Sequence, residues 1–121
     1  MKRIVLVEDE KVLADLLKKK LQEAGYDTTL VMNGADGLRA IQEIRPDLVL
    51  LDIVLPQMDG FAIMEELNKD QEVQKIPVII VSNSGQPVEI ERVKALGAKD
   101  WLIKTEFDPK EVVVKVQKQI G

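Results

Sequence analysis

Short runs of apolar and β-branched residues alternate with segments of helical period along the whole chain, and this alternation limits the fold more than any other feature. The runs are Ile4–Val7, Thr28–Met32, Asp47–Leu51, Val78–Val81 and Trp101–Ile103. Ile4-Val5-Leu6-Val7 has no polar residue, and the composition of the third run predicts a strand buried on both faces. Between the runs lie amphipathic helices. The first spans Lys11 to Ala24 with Leu13, Leu16, Leu17, Leu21 and Ala24 as its apolar face, and Gly25 is its C-terminal stop. Leu38, Ile41 and Ile44 mark the second, which Pro46 ends; Phe61, Met64 and Leu67 mark the third; Ile90, Val93 and Leu96 mark the fourth, ending at Gly97. Asp108-Pro109 reads as an N-cap followed by proline at the first helical position, before a stripe of Val112, Val113, Val116 and Ile120. Five strands in strict alternation with five helices predict an α/β fold of three layers, a doubly wound parallel sheet with helices on both faces. No linker, repeat or low-complexity stretch interrupts the pattern, so a single stand-alone domain over residues 1–121 is expected.

Composition removes several kinds of chemistry. The 121 residues contain no cysteine, which excludes disulfides, thiolate catalysis and zinc–cysteine sites. They contain no histidine, which excludes a histidine base or phospho-carrier within the chain. The net charge of −4, from 17 basic and 21 acidic residues, argues against direct nucleic-acid binding through a basic patch. Met1-Lys2-Arg3 precedes an apolar run that ends at Glu8-Asp9-Glu10, too short for a secretory signal. No apolar stretch approaches membrane-spanning length, so a cytoplasmic location away from the membrane is expected.

The chemistry gathers where strands end. Glu8 and Asp9 follow the first strand and Asp52 follows the third. Side chains at those positions face the crevice at the sheet's carboxyl end, where open α/β sheets bind ligands. Three carboxylates crowded there raise one another's pKa or recruit a cation. Their hard oxygens suit Mg²⁺, and a carboxylate can itself accept a phosphoryl group. The fourth and fifth strands end at Ser82 and Lys104. Singly, each residue is commonly a cap, a turn residue or a solvated charge; together they converge on one end of one sheet.

These residues give the chain a specific resemblance to the receiver domain of two-component response regulators, the CheY-like superfamily. It is carried by Val5-Leu6-Val7-Glu8-Asp9-Glu10, by the series from Leu51-Asp52 through Pro56 to Asp59-Gly60, by Pro77–Ser82 and by Gly97–Lys104. The resemblance implies a flavodoxin-like sheet of order 2-1-3-4-5. It implies Asp52 as phosphoacceptor, and Mg²⁺ held by Glu8, Asp9, Asp52 and the backbone carbonyl of Val54. Ser82 would hydrogen-bond the phosphoryl oxygen, Lys104 would pair with it as a point charge, and Ser82 with Trp101 would form the switch. The implied partners are a histidine kinase or histidine phosphotransfer protein as donor and a protein target docking on the fourth helix, fifth strand and fifth helix. The implied chain is a monomer or a weak phosphorylation-linked dimer, and a signalling phosphoacceptor rather than an enzyme.

Several positions depart from the family's pattern. Thr105 stands where proline, often after a cis bond, usually follows the lysine; a cis bond to a non-proline costs about 2.5–4 kcal/mol, so a trans bond and an altered loop are expected. Asn83 replaces a smaller residue after Ser82 and is expected to narrow access to the site. Val54 and Ser84 provide no group to orient a water, from which slow self-dephosphorylation follows as an expectation. The rival readings are weaker. A flavin domain would place phosphate against Glu8-Asp9-Glu10, which repel it. An aspartyl phosphatase needs a second acid where Val54 stands. A pseudo-receiver that is never phosphorylated must explain the complete set Glu8, Asp9, Asp52, Ser82 and Lys104.

Overall fold

A computed structural model describes residues 1–83 and 85–121. The strands are β1 (Arg3–Val7), β2 (Asp27–Val31), β3 (Leu48–Leu51), β4 (Val78–Ser82) and β5 (Asp100–Ile103). They alternate with α1 (Lys11–Glu23), α2 (Gly34–Ile44), α3 (Gly60–Leu67), α4 (Pro87–Ala95) and α5 (Pro109–Ile120). All pairings are parallel and the order is β2-β1-β3-β4-β5, as the resemblance implied. The chain first winds outward from β1 to β2, then returns across β1 to β3, β4 and β5. The β1–β3 seam is therefore the topological switch point where such sheets open a crevice.

The two-residue period of a strand divides the core into two layers. Ile4, Leu6, Leu48, Leu50, Ile79 and Val81 pack with Leu17 and Leu21 of α1 and Val112 and Val116 of α5. Val5, Val7, Val49, Leu51 and Ile80 pack with Ile41 of α2, Ile63 and Met64 of α3 and Val93 of α4. Every side chain of β3 is buried, which explains why its sequence shows no alternation.

Local chemistry sets the helix ends. Gly25 takes φ +95°, and the Tyr26 N–H donates back to the Leu21 carbonyl, closing α1 in a left-handed cap that a Cβ would strain. Asp108 and Glu111 form a reciprocal capping box at α5, with Pro109 in the first turn. The α1 stripe differs from the expected one. Ala14, Leu17 and Leu21 face the sheet, Leu13 sits at the margin, and Leu16 and Ala24 are exposed. The small Ala14 is as fully buried as Leu17 and Leu21, one turn before Leu17. β2 begins one residue earlier than expected and leaves Met32 exposed beyond its end. A single 3₁₀ turn at Val73–Lys75 was not visible in the polar stretch around it; its Val73 is buried in the core.

Candidate functional site at the carboxyl end of the sheet

Three residues one step beyond their strands are anchored by the neighbouring strand. The Glu8 N–H donates to the Val31 carbonyl (3.0 Å), the Asp52 N–H to the Val7 carbonyl (3.0 Å) and the Lys104 N–H to the Ser82 carbonyl (2.8 Å). The strands pair up to these points, Val7 with Leu51 and Ser82 with Ile103. Glu8, Asp52 and Lys104 thus extend the sheet's register and present their side chains to one crevice.

The side chains meet there. Lys104 Nζ donates to Asp52 Oδ2 at 2.8 Å, to Glu8 Oε2 at 3.0 Å and to Glu10 Oε2 at 3.2 Å. The Lys104 side chain is 5% exposed, and Glu8 and Asp52 are as deeply buried. Asp52 Oδ1 accepts the Ile53 N–H at 2.8 Å, and Glu8 Oε2 also accepts the Glu10 N–H at 2.9 Å. Glu8 Oε1 lies 2.8 Å from Lys104 Nζ but at an angle that makes no hydrogen bond. It is a buried oxygen paired by charge alone. Oxygens of Glu8, Asp9 and Asp52 lie within 4.8 Å of one another, with Asp9 exposed at the rim. A hard, all-oxygen donor set with one buried oxygen short of a hydrogen bond fits a divalent cation such as Mg²⁺.

The electrostatics follow from this crowding. Burial pushes the Glu8 carboxyl up, and neighbouring Asp52 adds to the rise. Hydrogen bonds from Lys104 and the Glu10 N–H oppose it, leaving the pKa at about 7. Burial alone would lower the Lys104 ammonium, but its hydrogen bonds to Asp52 and Glu8 outweigh burial and raise it. Lys104 is therefore charged at neutral pH and holds the carboxylates together. Glu10, part of the acidic run after the first strand but given no role at the site from sequence, is the third acid on this lysine.

The loop after Asp52 holds the site from below. The Met58 N–H donates to the Pro56 carbonyl across Gln57, whose φ of +70° makes a γ-turn. The Pro56 carbonyl also accepts the Gly34 N–H at the start of α2. Asp59 caps α3 by accepting the Ala62 N–H at 2.8 Å. A Cβ on Gly60 would lie 2.5 Å from the Asp52 carbonyl oxygen and 2.8 Å from Ile53 Cα, so only glycine lets α3 begin against the backbone of Asp52. From sequence, Asp59-Gly60 reads as a turn; the close approach is a tertiary fact with no local signal.

Ser82 is buried at the end of β4, and Asn83 beyond it is exposed. Val54 lies two residues past Asp52 with its side chain exposed. Ser84, to which an expectation about dephosphorylation was attached, lies outside the described residues. There is no cis peptide among the described residues, and Lys104 reaches Asp52 with Thr105 following it. Trp101 is half-buried on β5, and Lys94 Nζ stands 4.6 Å from the centre of its ring, a contact worth about 0.5–1 kcal/mol at an exposed site.

A doubly wound parallel sheet here gathers an acidic trio and a lysine at one end, a set of groups suited to a cation or a phosphoryl group. Comparison with known proteins narrows this: the chain belongs to the response regulator receiver domain family, whose model matches residues 4–117. It is 36% identical over 118 residues to the DNA-binding response regulator MtrA of Mycobacterium tuberculosis, covering 98% of this chain and 50% of that protein. The chain thus spans about half the length of the curated relatives it matches. Its fold is similar to chemotaxis protein CheY4 of Vibrio cholerae, with a TM-score of 0.91, 25% identity and 99% of each chain covered. It is also similar to the receiver domain of sensor histidine kinase PA1611 from Pseudomonas aeruginosa, solved with a magnesium ion coordinated in its active site cleft. There the TM-score is 0.89 at 29% identity, over 99% of this chain and 98% of that one. No helix among the described residues is long and apolar enough to cross a membrane.

Proposed function

We propose that this receiver domain takes up a phosphoryl group on Asp52 and uses the resulting change in charge to alter its protein contacts. The observation that carries the reading is Asp52 itself: buried, with Oδ2 on Lys104 Nζ and within the Glu8–Asp9 cluster. In the transfer, a carboxylate oxygen of Asp52 forms a bond to phosphorus as the bond from phosphorus to the donor breaks. The donor is a phosphohistidine on a partner kinase or phosphotransfer protein, or a small acyl phosphate. Lys104 keeps its proton and pairs with the phosphoryl oxygens, and Ser82 donates its hydroxyl to one of them. Glu8, Asp9, Asp52 and the Val54 carbonyl would hold Mg²⁺, which when bound neutralises charge on the phosphoryl oxygens. Positioning and neutralisation suffice, because the chemistry requires little covalent help from the protein.

The domain acts in this reading as a switch rather than a turnover enzyme, in the cytoplasm, as a monomer or weak dimer. Its output is a protein target on the α4–β5–α5 face. DNA binding belongs to the named relative, half of whose length this chain spans. Acetyl phosphate with Mg²⁺ is expected to add one phosphoryl group by intact-mass measurement, and Asp52→Asn to add none. Equal labelling of the variant would move the acceptor elsewhere; no labelling of the wild type would make the domain a pseudo-receiver.

A further inference from the structure

Beneath α4 lies a narrow cleft walled by Ile80, Ser82, Ile90 and Val93, into which Glu89 and Trp101 also face. It touches the phosphoryl site on two sides. Ser82 is one wall, and another is Ile53, whose N–H is held by Asp52. Glu89 Oε2 is buried and has no hydrogen-bond partner among the described residues. An unpartnered buried acceptor is costly and calls for a donor. Trp101 lines the same cleft, and its indole N–H is a donor with no acceptor function. Lys94 Nζ lies over the indole ring and favours the position the ring holds here, half-buried at the margin of the cleft, which is its outward position.

We propose that Glu89 and Lys94 are the two stops of the Trp101 switch: Lys94 holds the indole outward through its ring face, and the Glu89 carboxylate accepts the indole N–H when the ring turns inward. The inference rests on the phosphorylation reading above and adds residues to which that reading gives no role. The cleft has about 10 Å³ of space, room for about one water molecule. The indole therefore enters only if the first turn of α4 moves away, and Glu89 sits in that turn. Val93 is the only fully buried side chain on α4, so this helix is lightly held. A tryptophan at this position makes the device specific, since a phenylalanine has no donor to offer Glu89.

Trp101 is the only tryptophan, so ¹⁵N-labelled protein shows one indole cross-peak. Beryllofluoride with Mg²⁺ is the probe, and the ¹⁹F signal of the bound fluoride reports site occupancy independently. Wild type is expected to shift the indole proton downfield on saturation. Glu89→Leu should lose that shift with the ¹⁹F signal intact, while Glu89→Gln, which retains an oxygen acceptor, keeps part of it. Lys94→Met should move the cross-peak toward the bound position before any beryllofluoride is added. A full wild-type shift in Glu89→Leu at proven occupancy overturns the inward stop, and an unmoved cross-peak in Lys94→Met overturns the outward one. Loss of the bound ¹⁹F signal in the wild type overturns the phosphoryl-site reading beneath both.

Discussion

β1 and β3 occupy the middle of the sheet, and all but one of their nine side chains are buried; β5 lies at the edge and buries one of its four fully. The helices repeat the contrast. α1 buries Ala14, Leu17 and Leu21, whereas α4 buries Val93 alone. The site draws on both regions: Glu8 and Asp52 extend the central strands and Ser82 ends the equally buried β4, while Trp101 and Lys104 belong to the edge strand β5 and the residue after it. Placing like charges a few ångströms apart requires strands that cannot yield. Responding to a change in that charge requires an element whose displacement costs little, and such elements come from the weakly packed end of a protein's stability range. The division of labour follows from strand order, since the edge strand and its flanking helix have fewer neighbours than the centre.

The largest test of this contrast is a matched pair of truncations. Leu50→Ala, at a fully buried central position, is expected to cost about 3–5 kcal/mol in urea denaturation. Val88→Ala, on the exposed side of α4, should stay within about 0.5 kcal/mol. Similar losses for the two would erase the distinction. Mg²⁺ gives the next effect. At about 100-fold over its dissociation constant, linkage predicts about 2.7 kcal/mol of added stability, removed by chelation and weakened by Asp9→Ala. A thermal midpoint indifferent to Mg²⁺ would remove the cation from the Glu8–Asp9–Asp52 cluster.

A pair of glycines probes the same contrast through the backbone. An alanine at Gly60 meets the Asp52 carbonyl and Ile53 Cα, which are main-chain atoms of the rigid side, and should cost about 1–3 kcal/mol and slow labelling of Asp52. An alanine at Gly85 meets only side-chain atoms of Ile103, Cδ1 at 2.3 Å and Cγ1 at 3.3 Å, and that side chain can rotate aside. Its cost should be smaller, with labelling kept. If Gly85→Ala proved the more damaging, the β4–α4 side would be the stiffer one.

The sequence makes the well-packed side plain and the lightly packed side obscure, for a physical reason. Ile4–Val7 and Leu48–Leu51 are apolar throughout because helices cover both faces, so both the strands and the acids that follow them stand out. The resemblance added Ser82, Lys104 and Trp101. Nothing in the sequence exposed Glu10 on Lys104, Gly60 beneath Asp52, Lys94 over Trp101 or the buried oxygen of Glu89. Glu10 and Lys104 are 94 residues apart, and the others depend on how a loop or helix folds back on its own strand, which no local pattern encodes. The α1 stripe differs from its expectation for another reason: hydrophobicity points to the leucines, whereas the small Ala14 is one of the three buried positions.

The smallest expected effect uses the only tyrosine, which lies in the well-packed region as the only tryptophan lies in the lightly packed one. Tyr26 is buried between α1 and β2 and packs into the core layer of α1 and α5. Burial raises its phenol pKa above the usual 10.0, because the phenolate is poorly solvated there. The folded protein therefore keeps this proton to higher pH than the unfolded chain does. Its contribution to stability is complete below pH 10.0 and is lost as pH rises through the folded-state value, with a slope of at most about 1.4 kcal/mol per pH unit. Lysines titrate in the same range, so the measurement is the difference between wild type and Tyr26→Phe, which should show the shallower fall in stability. The phenolate absorbance should appear above the free-tyrosine midpoint and should not move when beryllofluoride and Mg²⁺ are added, while Trp101 responds. A Tyr26 titration that shifts together with the Trp101 signal would mean that the phosphoryl site moves the whole sheet, and the contrast between its two sides would fail.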